Sequence, residues 1–199
     1  MKQLTANLKT AFTPYGYRKS RDSFWKIENG FYKLIDFQQG AYGDYFFINV
    51  ALHPVGLPSL VVGKLEIKER PREYECILRQ RMGEIVPAAF FKKALIPIHD
   101  ADTIPETTAS LPAAEAWLAH WGSFEVIAGG DPSELSGMMP IAPILRQKAC
   151  HMLKCYCLLK QGNLPEARNA YAAYLSENRD MDFSAADRYL EALLEGALD

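Results

Sequence analysis

Ser23–His53 is the most strongly patterned stretch of this chain, with three runs rich in aromatic and branched residues in which positions two apart can be sorted onto one face. A period of two residues is typical of β-strands, in which successive side chains point to opposite faces of the sheet. Asn29-Gly30 and the segment Gln39–Asp44 separate the three runs with residues that favour turns. The pattern therefore predicts three strands joined by two turns, which is an antiparallel meander.

The Asn29-Gly30 dipeptide also predicts how the first two strands pair. Both residues tolerate the positive φ angles of a two-residue type I′ turn, and such a turn places Trp25 opposite Leu34. In this register one face is almost entirely apolar, and the other mixes lysines with apolar residues. The first face carries Trp25, Ile27, Tyr32 and Leu34, and the second carries Phe24, Lys26, Phe31, Lys33 and Ile35. We expect the first face to pack against the core.

Helical periodicity precedes the predicted sheet, and weaker strand patterns follow it. The N-terminal segment repeats apolar residues at helical spacing, namely Leu4, Leu8, Ala11 and Phe12, which predicts a helix packed across the sheet. Leu60–Ile67 and Tyr74–Met82 have the composition of further strands, whereas residues 83–110 show no clear pattern. Ser110 is expected to cap a helix that carries Pro112 in its first turn.

From Ala142 onward, apolar residues recur at helical spacing through three predicted helices. Gly162-Asn163 separates the first two, which resemble one tetratricopeptide-type hairpin, and Ser184 is expected to cap the third. The pattern predicts an α+β fold. An N-terminal helix packs on an antiparallel meander of about four to five strands in residues 1–130, and a helical hairpin plus one helix forms a subdomain in residues 140–199.

Composition and charge narrow the possible partners. The 199 residues are 49% hydrophobic, which is enough for a substantial core, and the net charge of -2 gives no attraction to nucleic acid or to anionic membranes. No apolar run is long enough to cross a membrane, and the N-terminus lacks the apolar block of a signal peptide. We therefore expect a cytoplasmic protein that binds neither nucleic acid nor membrane.

The four cysteines do not form a recognisable disulfide framework, so we expect them to be reduced thiols. Three of them share a predicted helix with His151, namely Cys150, Cys155 and Cys157. On a helix, Cys155 points roughly 140° away from Cys150, so the three sulfurs cannot converge on one ion. This geometry favours apolar packing over a zinc site.

Motifs of known catalytic sites are missing from the chain: it contains no GxSxG, no P-loop, no HExxH and no dinucleotide-binding GxGxxG. His99, Asp100 and Asp102 come nearest to a histidine and carboxylate cluster, and a polar loop accounts for them better. We predict no catalytic residue, no metal and no cofactor.

Several short motifs, taken in order, carry a resemblance to a known family. They are Gly16-Tyr17-Arg18-Lys19, Phe24-Trp25, Asp36-Phe37-Gln38, Phe46-Phe47-Ile48-Asn49-Val50 and Glu75-Cys76-Ile77-Leu78-Arg79-Gln80-Arg81. Their order and spacing over roughly the first 130 residues resemble the bacterial domain of unknown function 4304 family. The resemblance implies an α+β domain with an antiparallel sheet and no established activity. The C-terminal helices lie outside it.

Polar side chains inside the predicted strands are the candidate binding residues. A polar residue in a strand usually lies on a solvated sheet face. The sharper hypothesis is that Gln38 and Asn49 project from neighbouring strands towards Arg79 or Arg81. The resulting patch would bind a carboxylate or a partner's backbone, because arginine offers a fork of donors.

Two aromatic residues beside the Gly40–Gly43 loop, Tyr42 and Tyr45, form a candidate protein-binding tip. Two functions follow from these patterns. The first is a non-enzymatic protein-interaction or immunity-type module, and the second is a small-molecule-binding or catalytic domain that uses Gln38, Asn49 and Arg79. An open sheet edge and an aromatic surface are compatible with either a monomer or a dimer.

Overall fold

One antiparallel sheet organises the computed structural model, which describes residues 2–41, 43, 45–59, 66–86, 96–97, 102–176 and 184–196. Six strands lie within these residues: β1 Arg18–Ser20, β2 Ser23–Glu28, β3 Phe31–Gln39, β4 Tyr45–Pro54, β5 Leu78–Arg81 and β6 Ile96–Pro97. Their order is β1-β2-β3-β4-β5, and β6 pairs with the first residues of β4. The predicted meander is confirmed, with β1 and β6 as short additions.

Helices precede and follow the sheet, so the predicted α+β fold is confirmed. The α-helices of the described residues are α1 Lys2–Phe12, α2 Met82–Ile85, α3 Thr103–Trp121, α4 Phe124–Gly129, α5 Pro132–Gly137, α6 Pro143–Lys160, α7 Leu164–Ser176 and α8 Ser184–Leu194. Short 3-10 helices occupy Thr13–Tyr15 and Glu73–Glu75. Helices α6 and α7 are the predicted hairpin, and α8 is the additional helix. None of these described helices has both the length and the apolar character that crossing a bilayer requires.

The β2–β3 hairpin has the register that its turn residues predict. Trp25 pairs with Leu34 and Glu28 pairs with Phe31. Asn29 and Gly30 have φ angles of 53° and 79°, as a type I′ turn requires. A side chain at residue 30 would also collide with the Phe124 ring, because a Cβ there would lie 2.9 Å from Cζ. Glycine therefore serves both the turn and the packing of α4 against it.

The prediction of the core face was wrong. The main core lies against the mixed face, where Phe24, Phe31 and Ile35 are buried beneath α1 and α3. The lysines of this face are buried with them: Lys33 is only 1% exposed, and Lys26 is 9% exposed. They are tolerated because apolar stems pack in the core while the ammonium groups reach carboxylates. The face predicted to be the core is the other side of the sheet, which we call the outer face.

Other elements differ from the sequence prediction at their ends. Helix α3 begins at Thr103 rather than near Ser110, so Ser110 and Pro112 lie inside it. Pro105 already occupies the first turn, where a missing N–H is tolerated. The predicted strand Tyr74–Met82 is shorter, because Glu73–Glu75 forms a 3-10 helix before β5.

Two predicted features fall largely on residues that the structure does not describe. Most of the predicted strand Leu60–Ile67 is outside the described residues, and Glu66 forms only an isolated bridge with Ser59. His99 and Asp100 of the predicted polar loop are also outside them.

The C-terminal helices share the core of the sheet. The Tyr156 hydroxyl on α6 donates a hydrogen bond to the carbonyl of Val55, and the Tyr189 hydroxyl on α8 donates one to the carbonyl of Gly56, each over 2.6 Å. A single cluster of buried apolar residues runs from α1 through the sheet to α8. The proposed boundary between residues 1–130 and 140–199 stays a prediction.

Candidate functional site

The outer face of the sheet carries a second, smaller apolar cluster. It consists of Trp25, Tyr32, Leu34, Ala51 and Cys76. The Trp25 and Tyr32 rings stack with centroids 5.7 Å apart, and the Arg70 guanidinium lies 4.9 Å from the centre of the Trp25 ring. The segment that contains Arg70 and Cys76 therefore crosses this face of the sheet and leaves a cleft beside it.

This outer-face cleft has a volume of about 600 Å³, which is within the range of small-molecule sites. The floor is the sheet, with Trp25, Tyr32 and Asp36 among its side chains. One wall is the β1–β2 turn at Ser20–Ser23, and the other is the segment Arg70–Tyr74. The cleft therefore combines an aromatic floor with charged walls.

Two carboxyl groups are partly withdrawn from solvent at this cleft. Asp36 on β3 accepts a hydrogen bond of 2.6 Å from the Ser23 hydroxyl, and burial raises its pKa, as does the nearby charge of Asp22. Glu73 on the facing segment also has a raised pKa, chiefly because of burial, although the charge of Arg79 opposes the shift. The charge of Asp36 also helps to raise the pKa of Glu73.

A polar network borders the cleft and joins Gln38, Asn49, Glu73, Arg79 and Arg81. The Asn49 amide donates to Gln38 over 3.2 Å and to Glu73 over 3.1 Å. Arg79 forms an ion pair with Glu73 at 3.0 Å, and Arg81 donates to the Asn49 side-chain oxygen over 2.6 Å. The structure thus brings together the four strand residues that the sequence singled out.

The network gives these residues partners within the protein. The Asn49 side chain is buried, and the Arg81 guanidinium lies 4.1 Å from the centre of the Phe47 ring. Glu73 was missed in the sequence because it stands in a charged turn without strand periodicity. Glu73 stands three residues before Cys76, which packs on the sheet, and this spacing does not match the strand period of two.

Tyr45 of the candidate aromatic tip is not among the residues that line the cleft. Tyr45 begins β4 and is 42% exposed. Tyr42 is outside the described residues.

The remaining histidine and cysteine side chains of interest are buried in the fold. His53 bonds to the carbonyl of Leu57 and to the backbone N–H of Ile77. All four cysteines are buried free thiols, and burial raises the pKa of Cys150 to about 11. Within the described residues no group of three or more His, Cys, Asp or Glu side chains is arranged to hold a metal ion.

One comparison with known proteins gave a match. The pattern of the family described as "Domain of unknown function (DUF4304)" matches residues 8–110, slightly more than half of the chain. The chain belongs to the DUF4304 family. The DUF4304 region contains β1 to β5, the outer-face cleft and the whole polar network, and it ends within α3. No curated protein and no solved structure matches the chain.

Proposed function

We propose that this DUF4304 protein binds a small ligand that carries an ammonium or guanidinium group, with Asp36 as the counter-ion at the floor of the outer-face cleft. One observation carries the proposal. Asp36 is a half-buried carboxylate in a cleft of about 600 Å³, and among the described side chains it has hydrogen-bond partners but no ion-pair partner. A cation from the ligand would supply the missing charge.

The surroundings favour a ligand with a second, anionic group. Arg21, Arg70 and Arg72 stand around the opening of the cleft and would repel a simple diamine. A zwitterion, such as a free amino acid, would place its ammonium group at Asp36 and its carboxylate towards these arginines. The Trp25 and Tyr32 rings would contact its apolar part.

The first test measures binding by isothermal titration calorimetry with L-lysine, L-arginine, putrescine and, as an anion without an amine, succinate. We expect an amino acid to bind the wild type. We also expect Asp36→Asn to weaken that binding by about tenfold or more, because a charge-assisted bond contributes about 1.5–3 kcal/mol. Glu125→Gln is the matched control, since Glu125 is an exposed carboxylate on α4 away from the cleft.

Protonation adds a second signature to the same test. The pKa of Asp36 is raised, so as the pH is lowered this residue takes up a proton earlier than an ordinary aspartate does. Ligand affinity should therefore begin to decrease at a correspondingly higher pH. Asp36→Asn should unfold at no lower temperature than the wild type at neutral pH, since it removes a buried charge. Equal binding by Asp36→Asn, or no binding by any amine, would contradict the proposal.

A protein-interaction or immunity-type module is the second candidate, and exposed side chains around the cleft favour it. Tyr74 on the cleft wall is 38% exposed, and Ile27 on the outer face is 54% exposed. A lysine or arginine side chain of a partner would then occupy the position of the ligand's cation. Both candidates act by binding without turnover.

A cytoplasmic location is part of the proposal, supported by the four free thiols.

Photocrosslinking distinguishes the second candidate from the first. A photoreactive phenylalanine analogue placed at Tyr74 should form one discrete adduct in the source cell, and Asp36→Asn should abolish it. The same analogue at Leu164, an exposed residue of α7, is the control and should give no such adduct. Absence of an adduct at Tyr74, or the same adduct at both positions, would contradict a partner at this cleft.

A further inference from the structure

A second cleft lies on the far side of the polar network, between the edge of the sheet and the C-terminal helices. It has a volume of about 440 Å³, and its lining includes Arg79 and Arg81 of β5, Arg146 of α6 and the end of α5. The backbone N–H of Arg79 donates to the carbonyl of Met138 over 2.8 Å, which fastens the end of α5 to the strand. We call this the arginine cleft.

Positive charge exceeds negative charge in the arginine cleft. Three arginines line it together with one carboxylate, Glu84, which accepts a bond from the Arg81 backbone N–H. Glu73 pairs with Arg79 from the other side of the network, so Arg81 and Arg146 account for most of the excess. Burial and the neighbouring charge of Arg79 both lower the pKa of Arg81, so both disfavour its charged form.

Each of the three guanidinium groups makes a hydrogen bond within the protein but has further N–H donors that this bond does not use. Arg79 and Arg81 use Nη1 in their bonds to the network, and Arg146 uses Nε in a bond of 3.1 Å to the carbonyl of Ile141. Each guanidinium has five N–H groups, so most of them have no described protein acceptor. Fixed guanidinium planes with unused donors are suited to oxyanions.

We propose that the arginine cleft binds a phosphate group. Three arginine residues from two different elements, β5 and α6, line the cleft, and phosphate offers three strong acceptor oxygens, whereas a carboxylate offers two. A phosphate charge between about -1.5 and -2 at neutral pH also offsets the positive excess. Arg146 and α5 lie beyond the matched DUF4304 region, so the site combines that region with the C-terminal helices.

Gly137 allows a direct test of occupancy. This residue lines the cleft, and a Cβ added to it would meet open space. Gly137→Asp therefore adds a competing carboxylate to the lining of the cleft, on a Cβ that meets no neighbour within 4 Å, and Gly137→Ala is its matched control. Arg146→Gln removes one cation, and Arg168→Gln on the exposed surface of α7 is the corresponding control.

The experiment titrates the full chain with inorganic phosphate and, separately, with succinate at constant ionic strength, by calorimetry and thermal shift. We expect phosphate to bind at least tenfold more tightly than succinate. Gly137→Asp and Arg146→Gln should each weaken phosphate binding by at least fivefold, and Gly137→Ala and Arg168→Gln should bind as the wild type does.

Several results would overturn the phosphate site: no phosphate binding, succinate binding of equal strength, or wild-type phosphate binding by Gly137→Asp. Asp36→Asn should keep its affinity for phosphate, because it lies in the other cleft. Failure of the phosphate site is therefore distinguishable from failure of the amine site.

Discussion

At the scale of single residues, burial determines the chemistry of the ionisable side chains. Lys33 reaches Glu28 over 2.5 Å, and Lys26 reaches Glu115 over 2.6 Å, so two buried ammonium groups are paired with carboxylates of β2 and α3. Their hydrogen bonds and charges also lower the pKa of Glu28. Removal of Glu28 would leave the buried ammonium group of Lys33 without its carboxylate, which is costly in a folded protein.

His53, unlike the two lysines, is buried in its neutral form. Its Nδ1 accepts the backbone N–H of Ile77 over 3.2 Å, which leaves Nε2 to donate to the carbonyl of Leu57 over 2.7 Å. Both ring nitrogens are therefore occupied in the neutral form. Burial lowers the pKa of His53 to about 4.

This shift predicts a loss of stability in mild acid. The unfolded chain takes up a proton at His53 near pH 6.5, but the folded chain does so only near pH 4. The folded state therefore loses up to about 3 kcal/mol as the pH falls through this interval. In urea unfolding between pH 6.5 and 5, His53→Gln should show a shallower dependence of the unfolding free energy on pH than the wild type.

The difference between the two proteins isolates His53 from the other titrating groups. Asp36 and Glu73 have raised pKa values and act in the opposite direction, favouring the folded state as the pH falls, but they do so equally in both proteins. Parallel pH profiles for His53→Gln and the wild type would contradict the prediction.

At the scale of elements, local signals determined what could be predicted. The Asn29-Gly30 turn set the hairpin register, since its φ angles allow few alternatives. The choice of core face failed because counting apolar residues treats Lys26 and Lys33 as surface residues. The partner of Lys26, Glu115, lies about ninety residues away in the sequence, and no local pattern connects it to the hairpin.

The same distinction between local and tertiary signals separates the site residues that the sequence predicted from those that it missed. Gln38 and Asn49 could be placed together because strand pairing sets neighbours, and Arg81 follows from its register opposite Asn49. Glu73 and Arg146 could not be placed, because one stands in a 3-10 turn and the other on a helix far along the chain. Side chains that meet only through tertiary packing leave no periodic trace in the sequence.

At the scale of the whole molecule, the C-terminal helices and the sheet share one core. The buried tyrosine Tyr156 bonds to the end of β4, and its neighbours on α6 pack in the same cluster as Phe31 and Leu118. Such a continuous core is typical of one cooperative unit. The arginine cleft depends on this arrangement, since it exists only where β5 meets α5 and α6.

We therefore expect the full chain to unfold in one transition. Trp25, Trp117 and Trp121 all lie in the first 121 residues, so their fluorescence reports on the sheet and α3, and a fluorophore attached at Arg168→Cys would report on α7. Both signals should give the same urea midpoint. Tyr156→Phe should lower the free energy of unfolding by about 1–2 kcal/mol, because the carbonyl of Val55 loses its hydrogen-bond donor, and should therefore move both midpoints to lower urea together. Tyr171→Phe, which loses only an exposed bond to Glu191, is the control and should change stability by a few tenths of a kcal/mol. A fluorophore signal that changes at lower urea than tryptophan emission would instead mean that the helices unfold by themselves, and phosphate binding should then disappear at that first transition.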